Sequence, residues 1–181
     1  MIGTNVQLRA PEPSDVDTLY LWENDPGIWH LGNTISPFSR FEIEQFVLNN
    51  GHDIYVSKQL RFMVDWHNSP SGKVTIGNID LFDFDPYHKR AGIGILIDKP
   101  YRNHGFASEA LQILINYCFG TLMMHQLYCN IDNSNQESIR LFTRMGFKTC
   151  GLRKQWLLRN GYWADEIMLQ LINAPNREES H

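Results

Sequence analysis

The chain has 181 residues, enough for one well-packed domain and too few for two of ordinary size. Its composition is 43% hydrophobic and 20% charged, with a formal net charge of −4, which excludes a disordered chain and gives no basic surface for nucleic acid. The three cysteines and the scattered histidines lack the spacing of a disulfide framework or a zinc motif, so we expect no metal site.

The N-terminal segment MIGTNVQLRAPEP has neither the basic region nor the apolar region of a secretory signal. Nowhere do about 18 apolar residues follow one another, as a membrane-spanning helix requires. These features predict a cytoplasmic protein without a membrane partner.

The first predicted element is a short strand around Val6 and Leu8, which alternate with polar residues. Two helices follow it. The first ends at the turn NDPG, and the second begins at a capping box of Ser39 and Glu42. Three strands are predicted next, in LRFMVDW, KVTIGNIDLFDFD and RAGIGILID.

The second half alternates helices and strands. GFASEALQILINYCFG repeats apolar residues at helical spacing and QLYCNID returns to a strand, so this unit predicts a crossover between parallel strands. A capping box of Ser134 and Glu137 begins a further helix, and Asn160-Gly161 predicts a tight hairpin turn. The order predicts a single α/β (α+β) domain over residues 5–172 and a flexible tail over 173–181.

The junction KPYRNHGFASEAL predicts an anion site where a strand passes into a helix. The first amides of a helix have no internal partner and carry a partial positive charge, which suits a phosphate. Gly105 lets a ligand approach the backbone, and Arg102 adds a charged donor. An ordinary strand-to-helix loop is the alternative interpretation.

Arg102, Gly105 and Ala107 match the pattern R/Q-x-x-G-x-G/A, and the chain here resembles the GNAT superfamily of N-acetyltransferases, above all its ribosomal-protein and polyamine branches. IDNSNQESIRLFTRMGF and NGYWADEIMLQL are similar to later segments of that family. The resemblance implies a mixed central sheet of about six to seven strands with helices on both faces, splayed between strands 4 and 5.

The resemblance also implies acetyl-CoA as the co-substrate, bound between strands 4 and 5. Backbone groups of the fourth strand pair with pantetheine in this family. The implied coenzyme residues are Ile95, Leu96, Ile97, Arg102, Asn103, His104, Gly105, Phe106, Ala107, Ser108, Asn135 and Ser138.

Two positions depart from the family pattern. Phe142 stands where relatives commonly carry a tyrosine acid, and Gly92 stands where many carry a glutamate base. Asp80 and Asp83 match acidic positions of polyamine-acetylating relatives and are the candidate proton acceptors, although solvated strand-end carboxylates are the plainer interpretation.

Trp22, Trp29 and His30 flank the loop that borders the acceptor site in this family. Aromatic side chains can hold a cationic amine, or they can simply pack in the core. Asp165 and Glu166 on the last hairpin can contribute a negative electrostatic potential, or they can be ordinary polar residues of a strand.

We therefore expect an N-acetyltransferase in which a primary amine, of a protein N-terminus or a small molecule, attacks acetyl-CoA directly. Polyamine acetylation is one alternative. A non-catalytic CoA-binding module is another, because the acid and the base are both missing. A homodimer is also possible.

Overall fold

A seven-stranded mixed sheet forms the centre of the computed structural model, which describes residues 1–29, 34–49 and 53–173. The strand order is β1-β2-β3-β4-β5-β7-β6. The strands are β1 (Val6–Arg9), β2 (Leu60–Trp66), β3 (Val74–Asp85), β4 (Arg90–Ile97), β5 (Gln126–Asp132), β6 (Lys148–Arg159) and β7 (Tyr162–Ile172). The predicted sheet of six to seven strands is confirmed.

Helices cover both faces of this sheet, as predicted. They are α1 (Val16–Glu23), α2 (Arg40–Asn49), α3 (Ile54–Ser57), α4 (Phe106–Gly120) and α5 (Gln136–Arg144), with 3-10 turns at Pro13–Asp15 and Lys99–Tyr101. The short helix α3 carries too little periodicity to be predicted from sequence.

Two apolar clusters hold the helices to the sheet. On one face, helices α4 and α5 pack on the strands around Leu111, Leu114 and Leu127, which are fully buried. On the other face, α1 and α2 pack on Met63 of β2. Burial of each such large apolar side chain contributes roughly 1.5–3 kcal/mol to the free energy of unfolding.

Strands β4 and β5 are parallel and joined by the crossover helix α4, as predicted. They pair only where Arg90 to Gly92 face Gln126 to Tyr128. Beyond that point β4 runs on to Ile97 and β5 to Asp132 with no pairing between them. The predicted splay is confirmed, and it leaves a cleft in the middle of the sheet.

Local capping agrees with the sequence in one place and differs in another. The Ser39 amide donates to Glu42 at 2.6 Å and the Glu42 amide donates to Ser39 Oγ at 3.2 Å, which confirms that capping box. The predicted box of Ser134 and Glu137 is wrong. Asn135 caps α5 instead, because its Oδ1 accepts from the Ser138 amide at 3.1 Å.

The hairpin turn is confirmed, with Asn160 and Gly161 both at positive φ (48° and 87°), as the tight turn between antiparallel strands requires. The domain bounds 5–172 stay a prediction. The proposed tail falls almost wholly on residues 174–181, which lie outside the described residues.

Candidate active site

A groove of about 540 Å³ runs from the β4–β5 cleft to the start of α4, and we call it the coenzyme groove. The structure brings eleven of the twelve predicted coenzyme residues to its wall: Ile95, Leu96, Ile97, Arg102, Asn103, Gly105, Phe106, Ala107, Ser108, Asn135 and Ser138. The exception is His104, whose ring stacks on Phe106 with centroids 5.7 Å apart. Lys99 and Arg144 also line the groove and were not predicted.

The turn before α4 presents consecutive backbone N–H groups to the groove. Within the described residues, none of the amides from Asn103 to Ser108 donates a hydrogen bond, and the first amide that does belongs to Glu109, which bonds the Gly105 carbonyl at 3.1 Å. Gly105 has φ +84°, and a Cβ there would meet nothing within 4 Å. The turn is therefore an open array of donors at the positive end of a 15-residue helix, which favours an anion.

Arg102 is fixed beside this array. Its Nε donates to the Ile97 carbonyl at 2.9 Å, which holds the guanidinium at the end of β4. Lys99 and Arg144 add positive charge along the same wall. A site with this charge can hold more than one phosphate group.

The cleft itself is a small cavity of about 100 Å³ between β4, β5 and α5. Phe142 lines it but is only 3% exposed, with its ring packed edge-on against Phe147 at 5.0 Å. Cys129 also lines it, and burial raises the pKa of its thiol to about 12. Phe142 supplies no proton, and the Cys129 thiol stays protonated at neutral pH.

Gly92 faces an aromatic ring rather than open space. A Cβ at Gly92 would lie 2.2 Å from Cε2 of Phe82, far inside contact distance. Phe82 in turn packs edge-on against Tyr128 with centroids 5.9 Å apart. The position of the missing glutamate is therefore filled by Phe82.

A second pocket of about 140 Å³ lies on the α1 side of the sheet, and we call it the aromatic pocket. Its lining residues are Trp22, Glu23, Ile28, Trp29, Thr34, Arg61, Asn78, Asp80, Gly94, Ile95 and Leu96. The structure thus places the predicted Trp22 and Trp29 together. The Trp29 Nε1 donates to the Glu23 carbonyl at 2.8 Å, and the predicted His30 lies outside the described residues.

Asp80 lines this pocket as part of a charged network. Arg61 donates to both Asp80 carboxylate oxygens, at 2.7 and 2.9 Å, and also to the Glu23 carboxylate. Burial lowers the pKa of Arg61, but Asp80 and Glu23 outweigh that effect and raise its pKa above the ordinary value. Arg61, Asp80 and Glu23 together carry a formal charge of −1, counted over these three described side chains.

Asp83, the other candidate proton acceptor, does not line this pocket. Asp83 has φ +49° and accepts a hydrogen bond from the Tyr128 hydroxyl at 3.0 Å. Burial, together with Asp83, raises the pKa of Tyr128 to about 12. Asp83 and Tyr128 line a separate cavity of about 880 Å³.

The two acids of the last hairpin also differ from each other. Glu166 is 6% exposed, lines the cleft and accepts from Arg153 at 2.7 Å. Asp165 accepts from the Gln155 amide at 2.8 Å instead. Of this pair only Glu166 lines the cleft, where Arg153 neutralises its charge.

Within the ranges 1–29, 34–49 and 53–173, no three His, Cys, Asp or Glu side chains gather as metal ligands. None of the helices in those ranges combines the length and apolar character that crossing a bilayer requires.

Three relatives place the fold among known proteins. Spermidine N(1)-acetyltransferase of Escherichia coli K12 is 25% identical over 165 residues, which cover 91% of this chain and 84% of that protein. The N-acetyltransferase p20 of Bacillus licheniformis is 28% identical over 166 residues, which cover 91% of this chain and 91% of that protein. The crystal structure of spermidine N-acetyltransferase from Vibrio cholerae in complex with CoA and spermine superposes with a TM-score of 0.84 at 22% identity, over 94% of this chain and 96% of that one.

The family model of the GNAT acetyltransferase domain matches residues 5–148. That match spans β1 to the end of α5 and so includes the coenzyme groove. The resemblance stated from the sequence is confirmed. The chain belongs to the GNAT family of acetyltransferases, enzymes whose acetyl donor is acetyl-CoA.

Proposed function

We propose that this enzyme transfers the acetyl group of acetyl-CoA to a primary amine of a small cationic acceptor, with polyamines as the favoured class. One observation carries the proposal. Ile95 and Leu96 of β4 line both the coenzyme groove and the aromatic pocket. A thioester bound along one side of this strand therefore faces an amine bound on the other.

In this proposal the coenzyme diphosphate binds the amides from Asn103 to Ser108, with Arg102 as the charged donor. Pantetheine pairs with the backbone of Ile95 to Ile97, in the cleft where β4 has β3 on one side and no strand on its β5 side. Asn135 already uses its Oδ1 as a helix cap, so its side-chain Nδ2 is the group left for the coenzyme.

The chemistry is direct attack. The amine nitrogen forms a bond to the thioester carbonyl carbon, the C–S bond breaks, and the proton lost by the amine balances the one gained by the thiol. Releasing a thiol of pKa about 8.5 as its thiolate costs only ~2 kcal/mol at pH 7. The reaction can therefore proceed with Phe142 in place of a tyrosine acid. Positioning the two reactants supplies most of the rate.

Removal of the amine proton is the harder step without a glutamate at Gly92. At pH 7 it costs ~4.6 kcal/mol for an amine of pKa about 10.4, and about 1 kcal/mol for an α-amine. This difference keeps a protein N-terminus as the second candidate acceptor. The charge of −1 around Arg61 and the walls of Trp22 and Trp29 favour a cation with an aliphatic chain.

The relatives agree with the polyamine class, since two of them are spermidine acetyltransferases by name. The possible homodimer stays a prediction.

Thiol release from acetyl-CoA, measured with spermidine, spermine and a panel of peptides, tests this proposal. We expect kcat/KM for the polyamines to exceed that for the peptides at least tenfold. Asp80→Asn removes one charge beside Arg61 and is expected to raise the KM for spermidine about tenfold without changing that for acetyl-CoA. Asp83→Asn, in the separate cavity, is the control.

Two results contradict the proposal. Faster turnover of peptides than of polyamines would show that a protein N-terminus, the second candidate, is the acceptor. Acetyl-CoA binding with no thiol release for any amine would instead favour the non-catalytic module.

A further inference from the structure

Asn78 is a buried polar residue whose side-chain amide has no hydrogen-bond partner in the part of the chain that the structure describes. It lies on β3 between Met63 of β2 and Leu96 of β4, in the middle of the sheet, and is only 4% exposed. Its side-chain amide makes no hydrogen bond, although Asn78 could donate two and accept two. Leaving such a group unpaired inside a protein is unfavourable and uncommon.

The small exposed part of Asn78 faces the aromatic pocket. Asn78 lines that pocket. Every side-chain nitrogen or oxygen that lacks a partner among the described residues keeps some contact with solvent, so the Asn78 amide is reachable from the pocket. The neighbouring polar groups already have partners, since Asp80 and Glu23 are held by Arg61. The pocket therefore contains a buried hydrogen-bonding group that is available to whatever enters.

The space in front of Asn78 suits a primary amine. Asn78 stands two residues before Asp80 on the same face of β3, and Asp80 pairs with Gly94 of β4. A Cβ on Gly94 would have no neighbour closer than Phe82 Cε1 at 3.9 Å, so the floor of the pocket is open there. A group bound against Gly94 lies next to the unpaired part of β4, where the thioester carbonyl is proposed to bind.

We infer that Asn78 binds the acceptor nitrogen, its Oδ1 accepting a hydrogen bond from an N–H of the amine that is acetylated. This inference rests on the proposed function and names the group that orients the attacking nitrogen. Asn78 takes no proton, because an amide is neutral and a very weak base. Its role is to bind and aim the amine, while Arg61, Glu23 and Asp80 set the local charge.

The test is Asn78→Leu, which keeps the approximate volume and removes the amide. We expect kcat/KM for the acceptor amine to fall about 10–100-fold, as for the loss of a hydrogen bond to a charged group, with the KM for acetyl-CoA unchanged within about twofold. The Tm is expected to rise by about 2–6 °C, because an unpartnered buried amide is replaced by an apolar side chain. A residue with a purely structural role would not lose activity while gaining stability.

Asn116→Leu is the matched control. Asn116 is exposed on α4 and does not line the aromatic pocket. Its substitution is therefore expected to leave kcat/KM unchanged. A second measurement does not depend on any variant. The side-chain NH₂ signals of Asn78 in ¹⁵N-labelled wild type are expected to shift on titration with spermidine and to saturate together with binding.

The outcomes separate the two proposals. If the wild type acetylates amines and Asn78→Leu does so equally well, or if the Asn78 signals do not respond to a bound amine, the assignment of Asn78 is wrong and the proposed function stands. If the wild type turns over no amine at all, the proposed function fails and the assignment fails with it.

Discussion

At the scale of single residues, the site is defined by side chains that replace those expected of the family. Phe82 occupies the space above Gly92, and Phe142 packs in the core against Phe147. Aromatic rings thus occupy the two places where the family pattern has a catalytic base and a catalytic acid. The charged and amide side chains that do reach the aromatic pocket are Asn78 and Asp80 of β3, Arg61 of β2 and Glu23 of α1.

The contact between Phe82 and Gly92 gives a testable coupling. Gly92→Glu is expected to lower the free energy of unfolding by about 1–3 kcal/mol, because its Cβ would overlap the Phe82 ring. In the double variant Phe82→Ala/Gly92→Glu the ring is gone, so the combined loss should be smaller than the sum of the single losses by at least about 1 kcal/mol. Urea unfolding of the four proteins measures this coupling, and additive losses would contradict it.

Strand geometry explains why only one of the two candidate carboxylates lines the aromatic pocket. Asp80 and Asp83 were both candidate proton acceptors, but residues three apart on a strand point to opposite faces, and the positive φ of Asp83 adds an irregularity. Asn78 was missed because no pattern marks a single asparagine. The available signal was its place within the largely apolar strand KVTIGNIDLF, where a polar side chain is expected to be buried and therefore to require a hydrogen-bond partner.

At the scale of elements, the turn into α4 combines glycine conformation with an open array of amides. Gly105 and the hairpin Gly161 have nearly the same φ, +84° and +87°, and neither would meet another atom through a Cβ. Gly105 is the N-cap of α4 and Gly161 lies in a hairpin turn, so the two glycines share a backbone conformation but differ in what lies in front of them. At Gly105 it is the coenzyme groove, and at Gly161 it is solvent beyond the β6–β7 hairpin.

This pair provides a matched test of coenzyme binding. Gly105→Ala and Gly161→Ala are each expected to cost about 1–2 kcal/mol of stability, because alanine is strained at positive φ. Only Gly105→Ala should weaken acetyl-CoA binding, by about tenfold, since its methyl group projects where the diphosphate approaches. Isothermal titration gives the Kd, and equal Kd values for the two variants would refute the assignment of the turn.

Arg102 offers a second test at the same turn. Arg102→Ala is expected to raise the Kd for acetyl-CoA about 10–100-fold through the loss of a charged hydrogen bond. Arg140→Ala, an exposed residue of α5 outside the groove, should leave the Kd unchanged. An unchanged Kd for Arg102→Ala would show that the guanidinium serves only to hold the Ile97 carbonyl.

The elements themselves were well predicted where the local signals were strong. The strand-helix-strand crossover follows from apolar periodicity, and the Asn160-Gly161 turn follows from the conformational freedom of those two residues. The cap of α5 was predicted one residue too early, because Ser134 and Asn135 are both good caps and the Ser134 hydroxyl donates to Asp132 instead, at 2.7 Å. The splay was implied by the family resemblance rather than by any residue pattern.

At the scale of the whole molecule, a buried ion network ties the first strand to the sheet. Arg9 of β1 donates to Asp65 of β2 at 2.6 Å and to both oxygens of Asp15, at 2.6 and 2.8 Å. Asp65 is fully buried. Burial raises the pKa of both carboxyls, but the hydrogen bonds they accept outweigh this and leave both pKa values below the ordinary range.

This network predicts a dependence of stability on pH. Both carboxyls have a lower pKa folded than unfolded, so their contribution is complete above about pH 4 and is lost as the pH falls through the folded pKa. Arg9→Met removes the guanidinium that both carboxyls share, although Asp65 keeps Thr75 and Lys73 and Asp15 keeps the Glu12 amide. We expect this variant to cost about 3 kcal/mol of stability and to move acid unfolding to higher pH. Circular dichroism against pH and urea measures both effects.

The matched control for this variant is Arg40→Met. Arg40 pairs with Asp17 at the surface, where both side chains are more than half exposed. Its loss is expected to change stability by about 0–1 kcal/mol. A similar cost for the two variants would mean that the network around Arg9 adds no more than a surface ion pair.

The placement of β7 between β5 and β6 has a consequence for synthesis on the ribosome. Of the seven described strands β7 is made last, yet it occupies an interior place in the sheet and pairs with β5 along all seven residues from Gln126 to Asp132. Until Tyr162–Ile172 has emerged, β5 is a bare edge able to pair with other nascent chains. Premature termination anywhere before β7 therefore leaves a half-built sheet, which makes such fragments targets for chaperones and proteases.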